Sequence, residues 1–423
     1  MPDVSQHQPN HHRRRWNIFA ALLLIILSAL AFAPRADAAP AAAGLAGTWR
    51  VTLALPGGAL PFGLEVKRHG TVVSAVLLNP PERMRAEIAT LDGDTLTLGF
   101  PSYGSRLVLR LGADDRLTGE ALLARSSGPV TLAVAGERGT WRFTPKPAPA
   151  AADLTGRWQL AYGTPAQRGQ AEFRQTGNRI TGSIQLPSGD YRYLAGEVSG
   201  DRLALSTFDG NAATLWTATV KDGALFGAQF TATGSKSGTP WTARRDAKAK
   251  MEAIVVEKPS VKRFAFRFPD SQGRMVSLAD ARYRGKVVVV TLGGAWCPNC
   301  HDEARFMGSY ATRRRAEGLE VIALQFEYGD DAARNSKLMD SFAARYALPY
   351  PLLLAGQPTP ESTTAALPGF GPVKVYPTTL FIGRDGTLRE VHVGWAGPAM
   401  AELNAKAKRD FDAVVTRLLR EHG

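Results

Sequence analysis

Cysteine is almost absent from this chain: 423 residues contain two, Cys297 and Cys300. The scarcity excludes a disulfide scaffold, because no thiols remain for structural bridges. It also argues against a metal: half of a tetrahedral zinc site needs two more ligands, and His301 is too close in sequence to complete one easily. No cofactor-binding motif is present, so no cofactor is expected. The net charge is +13, yet no dense basic block with interleaved aromatics occurs, and no nucleic-acid partner is expected. Arg313-Arg314-Arg315 is the main cluster and reads as a solvated helix face. Beyond residue 33 no run is long and apolar enough to cross a bilayer. Charged residues are 21% and hydrophobic residues 44%, as in globular domains with real cores.

What is present begins with an export pattern. Arg13-Arg14-Arg15 precede an apolar stretch from Ile18 to Ala33, and Ala36-Asp37-Ala38 follows as a cleavage site. Residues 1–38 therefore read as a cleaved signal peptide, which implies a periplasmic protein. The alternative is an N-terminal membrane anchor, although the apolar stretch is short for a span of about 20 residues.

An internal repeat follows. Leu45-Ala46-Gly47-Thr48-Trp49-Arg50 returns as Leu154-Thr155-Gly156-Arg157-Trp158-Gln159, and Gly93-Asp94-Thr95-Leu96 as Gly200-Asp201-Arg202-Leu203. Gly70 matches Gly177, and each copy ends near a tryptophan, Trp141 or Trp241. The steady offset indicates tandem duplication. Short runs of period two, punctuated by glycine turns, predict a small antiparallel barrel or sandwich for each copy, residues 40–145 and 152–246. In a barrel the terminal tryptophans are expected to meet as a plug. The Gly-x-Trp opening resembles the start of lipocalin-like barrels, which implies a ligand-binding or, more simply, a packed interior. His69 reads as a solvated turn residue. A Pro/Ala linker, residues 146–152, joins the copies.

From about residue 255 to 423 the pattern becomes α/β. A short hairpin over 264–278 precedes a buried strand from Val287 to Leu292. Helix 300–317, strand 319–326, helix 332–346, strands 379–382 and 388–393 and a final helix 400–421 follow. A C-x-x-C after a buried strand in this order is the thioredoxin layout. Cys297 sits at the start of a helix, with Pro298 suited to its first turn. Free N–H groups and the helix dipole there favour a thiolate, the attacking species. Cys300, almost one turn on, can attack a mixed disulfide in turn.

The segments Gly285-Lys286-Val287-Val288-Val289-Val290, Trp296-Cys297-Pro298-Asn299-Cys300-His301-Asp302-Glu303 and Tyr376-Pro377-Thr378-Thr379-Leu380-Phe381-Ile382 resemble the TlpA/ResA branch of exported thioredoxin-like proteins. The resemblance covers roughly residues 262–420. It implies a disulfide-reducing enzyme in which Glu303 manages protons and Pro377 is the cis-proline facing the dithiol. Trp296, Tyr376 and Thr378 are candidates for the substrate groove. His301 reads as a solvated helix residue. One departure stands out: Thr291 and Gly293-Gly294 occupy positions where thioredoxins carry a buried aspartate and bulkier residues.

The leading expectation is a periplasmic thiol–disulfide oxidoreductase acting on exported thiols or disulfides and recharged by a membrane electron donor. One alternative is a peroxiredoxin-like peroxidase, against which Gly294 stands where such enzymes place a threonine. Another is a binding protein whose β repeats carry the main function through an unidentified partner or ligand.

Overall fold

The computed structural model describes residues 44–254 and 259–421. Residues 1–38, expected from sequence to be a signal peptide, lie outside the described residues. Among the described residues, no helix is long and apolar enough to cross a membrane.

The first module is one curled antiparallel sheet of nine strands, from Gly47–Leu55 to Val130–Arg138. Alternation builds it: Trp49, Val51, Leu53 and Leu55 enter the core while Arg50, Thr52 and Ala54 face away. The second module runs from Gly156–Tyr162 to Thr239–Arg245 and closes into an eight-strand barrel. Closure comes from pairing Arg179–Leu186 with both Gln167–Thr176 and Leu194–Ser199.

The duplication holds to the atom. The indole N–H of Trp49 donates to the Leu45 carbonyl at 3.0 Å, and that of Trp158 to Leu154 at 2.9 Å. Arg138 lies 3.9 Å over the Trp49 ring and Arg245 4.9 Å over Trp158. The motif glycines, Gly47 and Gly156, have φ of 126° and 119°, where a side chain is strained. The terminal tryptophans, however, are not equivalent. Aligned on Arg138 and Arg245, Trp241 corresponds to Val134. Trp241 packs inside the barrel against Trp216, at 5.5 Å, whereas Trp141 lies beyond the last strand of its module. A shared residue type near each end concealed this shift.

The two modules are not beads on a string. Phe208, Ala213 and Leu215, on the outside of the barrel, complete the core of the open first sheet, with Phe208 4.9 Å from Phe62. The linker lies along the barrel: Ala148 N–H donates to Ser199 Oγ at 3.0 Å and Ala151 N–H to Gly200 O at 2.8 Å.

The C-terminal domain is thioredoxin-like. Its five-strand sheet has the order Leu352–Gly356, Leu319–Phe326, Val287–Gly293, Thr378–Ile382, Leu388–Val393. The central strand Val287–Gly293 is wholly buried, parallel to one neighbour and antiparallel to the other. Four helices accompany it: α1 (Pro298–Arg314), α2 (Ala332–Tyr346), α3 (Pro360–Ala366) and α4 (Ala401–Arg420). The edge strand Leu352–Gly356 and helix α3 were not anticipated from sequence. A five-residue apolar run beside prolines has no period to read.

Candidate active site

The site is built where the central strand ends and α1 begins. Cys297 is the N-cap of α1, its Sγ accepting the Cys300 N–H at 3.3 Å. Pro298 occupies the first turn, where its missing N–H costs nothing. Both thiols are free and only 5% exposed. The Tyr376–Pro377 bond is cis, and the Cys297 thiol donates to the Tyr376 carbonyl at 3.6 Å. Trp296 stacks on Tyr328 at 4.9 Å and meets Tyr376 edge-on at 5.3 Å, and its indole donates to Phe326 O at 2.8 Å. That fold-back explains Gly294: a Cβ there would fall 2.3 Å from the indole nitrogen. Thr378 points its hydroxyl to Val375 O at 2.7 Å, bracing the groove from behind.

Three of the buried carboxyls around this motif are held above their ordinary pKa. Glu303, one turn beyond Cys300, accepts from the Thr379 hydroxyl at 2.6 Å. Burial raises its pKa to about 7, against the opposing hydrogen bond from Thr379. Thr291 pairs with Thr379 across the strands, so hydroxyls occupy the space behind Glu303. Glu327 accepts the Ala295 N–H at 2.8 Å, and burial pushes its pKa to about 8. Its position at the end of the strand Leu319–Phe326 was a legible signal that went unread. Asp190 comes from the barrel; burial, and secondly the charge of Asp302, raise it to about 6. Burial, then the Cys297 thiol, drive the Cys300 pKa well up.

His301 is fully buried, not solvated. Its ring nitrogens meet Tyr346 Oη at 2.8 Å and Ala295 O at 2.7 Å, and burial holds its pKa well below the usual value. Tyr103 of the first module stacks on it at 3.8 Å and donates its hydroxyl to Asp209 of the second module at 2.8 Å. Arg192 makes a similar three-way joint, bonded to Glu82 of the first module at 2.6 Å and Asp302 of α1 at 3.1 Å. Arg345 of α2 reaches Glu87 at 2.6 Å. Asn299, inside the C-x-x-C, pairs with the Asp190 backbone, accepting from its N–H at 2.9 Å and donating to its carbonyl at 3.1 Å. No local pattern announces these partners, because each joins distant parts of the chain.

The fold, the cis-proline and the C-x-x-C at a helix start together invite comparison with known proteins. Residues 261–391 match the AhpC/TSA family. Within and around this AhpC/TSA segment the chain is 29% identical over 130 residues to the thiol-disulfide oxidoreductase ResA of Bacillus thuringiensis, covering 30% of this chain and 66% of that protein. It is 27% identical over 147 residues to the thioredoxin-like protein YneN of Bacillus subtilis, covering 35% and 76%. The chain thus spans just under two thirds of the ResA protein it matches. Among solved structures, a thiol:disulfide interchange protein of Chlorobium tepidum aligns at 21% identity over 39% of this chain and 99% of its own, with a TM-score of 0.29. These likenesses all concern the C-terminal part; the β modules lie outside the AhpC/TSA match.

Proposed function

We propose that this chain is an exported, periplasmic thiol–disulfide oxidoreductase that reduces disulfides of other exported proteins. The observation that carries this reading is the dithiol itself: Cys297 caps α1 with Cys300 one turn behind and the cis-Pro377 segment alongside. The Cys297 thiolate attacks a substrate disulfide, forming a mixed disulfide as one substrate thiolate leaves. Cys300 then attacks Cys297 Sγ, releasing the second substrate thiolate and leaving a Cys297–Cys300 disulfide. Two electrons have passed to the substrate. A thiol donor at the membrane returns them.

The Cys300 proton needs an acceptor because burial holds that thiol protonated. Glu303 is suited to the role, since it exchanges its own proton near pH 7. As a base it acts when ionised, so the resolving step accelerates as pH rises through about 7. Glu303→Gln is expected to slow turnover and flatten that rise, read from stopped-flow reduction across pH 5.5–8.5.

Direction is tested by equilibrating the full chain with glutathione buffers. A potential near about −270 mV or below supports a reductase; one near about −120 mV makes the protein a disulfide donor instead. The AhpC/TSA match motivates a peroxidase as the second reading. Gly294, with no room for the threonine such an enzyme needs, counts against it. Rapid peroxide-dependent oxidation of Cys297 would reverse that preference.

A further inference from the structure

Cys297 does not look out into open solvent. It faces a cleft of about 320 Å³ with two walls. The near wall is redox domain: Trp296, Cys297, Val375 and Tyr376. The far wall is the rim of the second β module, made by the segment 188–192 and by Thr207 and Thr214. These threonines are cross-strand partners. Each lies two residues from a barrel-core residue, Leu205 or Trp216, and so shares its inward face, toward the barrel mouth.

Thr207 is 4% exposed and Thr214 7%, and neither hydroxyl has a hydrogen-bond partner. A buried polar group without a partner is costly. Two such groups side by side in the cleft that Cys297 also lines suit a ligand that supplies the missing bonds. The rim is also held in place. Gly189 comes so close to Asn299 that a Cβ on it would fall 2.0 Å from the end of the side-chain amide. Gly397 meets Asp302 and Asp190 in the same way, at 2.6 and 2.9 Å.

The cleft selects by shape and by chemistry. Its volume is at the low end for ligand sites, enough for a slender chain and too small for the face of a folded protein. Each threonine hydroxyl both donates and accepts, matching the alternating N–H and C=O of an extended backbone. The Arg192 guanidinium at the far wall is committed to Glu82 and Asp302.

We propose that the second β module is half of the substrate site. An extended, cysteine-bearing polypeptide segment lies between the two walls, with its backbone hydrogen-bonded by Thr207 and Thr214 and its sulfur presented to Cys297. This inference rests on the oxidoreductase reading above and gives the barrel its role in that reaction.

The test uses the full chain and two substrates: an unfolded synthetic peptide closed by one disulfide, and 2-hydroxyethyl disulfide, which is too small to span the cleft. The readout is the ratio of kcat/KM for peptide to that for the small disulfide. Thr207→Val with Thr214→Val keeps shape and removes both hydroxyls. The ratio is expected to fall about tenfold, each lost hydrogen bond contributing a few-fold. Serine at both positions should restore it. The thermal midpoint of the valine variant should not drop, because the deleted hydroxyls had no partners. An unchanged ratio, or an equal fall on both substrates, overturns the proposal. So does a native folded protein disulfide reduced as fast as the peptide. A wild-type protein that reduces neither disulfide overturns the oxidoreductase reading itself, and does so before any variant is made.

Discussion

The two β modules began as the same unit and now differ in one pairing. Both carry the Leu-x-Gly-x-Trp opening, and in both an arginine from the last strand covers that tryptophan. In the second module Arg179–Leu186 pairs with Leu194–Ser199 and the barrel shuts. In the first, the matching strand Val72–Asn79 pairs with Glu82–Arg85 and not with Ile88–Asp92, which pairs with Thr95–Phe100 and forms the opposite edge of the sheet. The bond from Ala86 N–H to Ala75 O at 2.9 Å extends the ladder of Val72–Asn79 with Glu82–Arg85 by one residue before the chain turns away. The open copy is filled from outside by its sibling, and the closed copy keeps its mouth for the redox site. Duplication thus gave two pieces with separate tasks: a buttress and a wall.

Phe208→Ala is the largest way to break this difference. The ring belongs to the barrel by sequence but to the first module by packing, so its loss should cost about 3–5 kcal/mol there. Native-state hydrogen exchange should show lost protection in strands 47–138, with barrel-interior strands little changed. Equal loss in both modules would mean that the two cores are one.

Asp190→Asn tests the joint between wall and redox domain. Asp190 has a folded pKa of about 6 against an ordinary 3.8. The folded state therefore binds the extra proton, and stability falls as pH rises from 3.8 through about 6. Above that the ionised group costs about 3 kcal/mol. The thermal midpoint of the amide variant should show a flatter slope between pH 4 and pH 8, on a baseline lowered by the loss of one of the two bonds that Asp190 accepts from the backbone N–H groups of Arg192 and Gly397. Glu303 and Glu327, also raised, add a slope of the same sign up to about pH 8 that this substitution leaves in place.

The smallest effects sharpen the kinship. Arg138→Ala and Arg245→Ala each remove a cation over a tryptophan and should each cost about 1 kcal/mol. Chemical denaturation of the two variants should give similar losses; a severalfold difference would show that the clasp kept its geometry but not its importance in one copy.

Much of this architecture was readable in the chain. The repeat motif, the buried run Val287–Val290 and the C-x-x-C followed by Tyr376-Pro377 each rest on local spacing, and local spacing is what a sequence displays. Closure was not readable, because it depends on a second pairing: Arg179–Leu186 takes Leu194–Ser199 as well as Gly189–Asp190, whereas Val72–Asn79 pairs on that side with Glu82–Arg85 alone. Trp141 misled for a related reason: residue type was matched where strand register decides. His301 looked solvated because its helix face is polar in sequence, while its burial is supplied by Tyr103, a residue of another domain. The threonines at the cleft carry no signal at all, since Thr in a strand is ordinary.

Tyr103 resting on His301 has a consequence for the order of events. Synthesis proceeds from the N-terminus, so both β modules are complete while the redox domain is still being made. The domain that emerges last finds two finished surfaces to condense against; Phe342 and Tyr346 of its own helix α2 cover part of His301, and the face that Tyr103 stacks on is covered only when docking is done. The dithiol therefore reaches its working surroundings at the close of biogenesis, in a chain whose other parts are already in place.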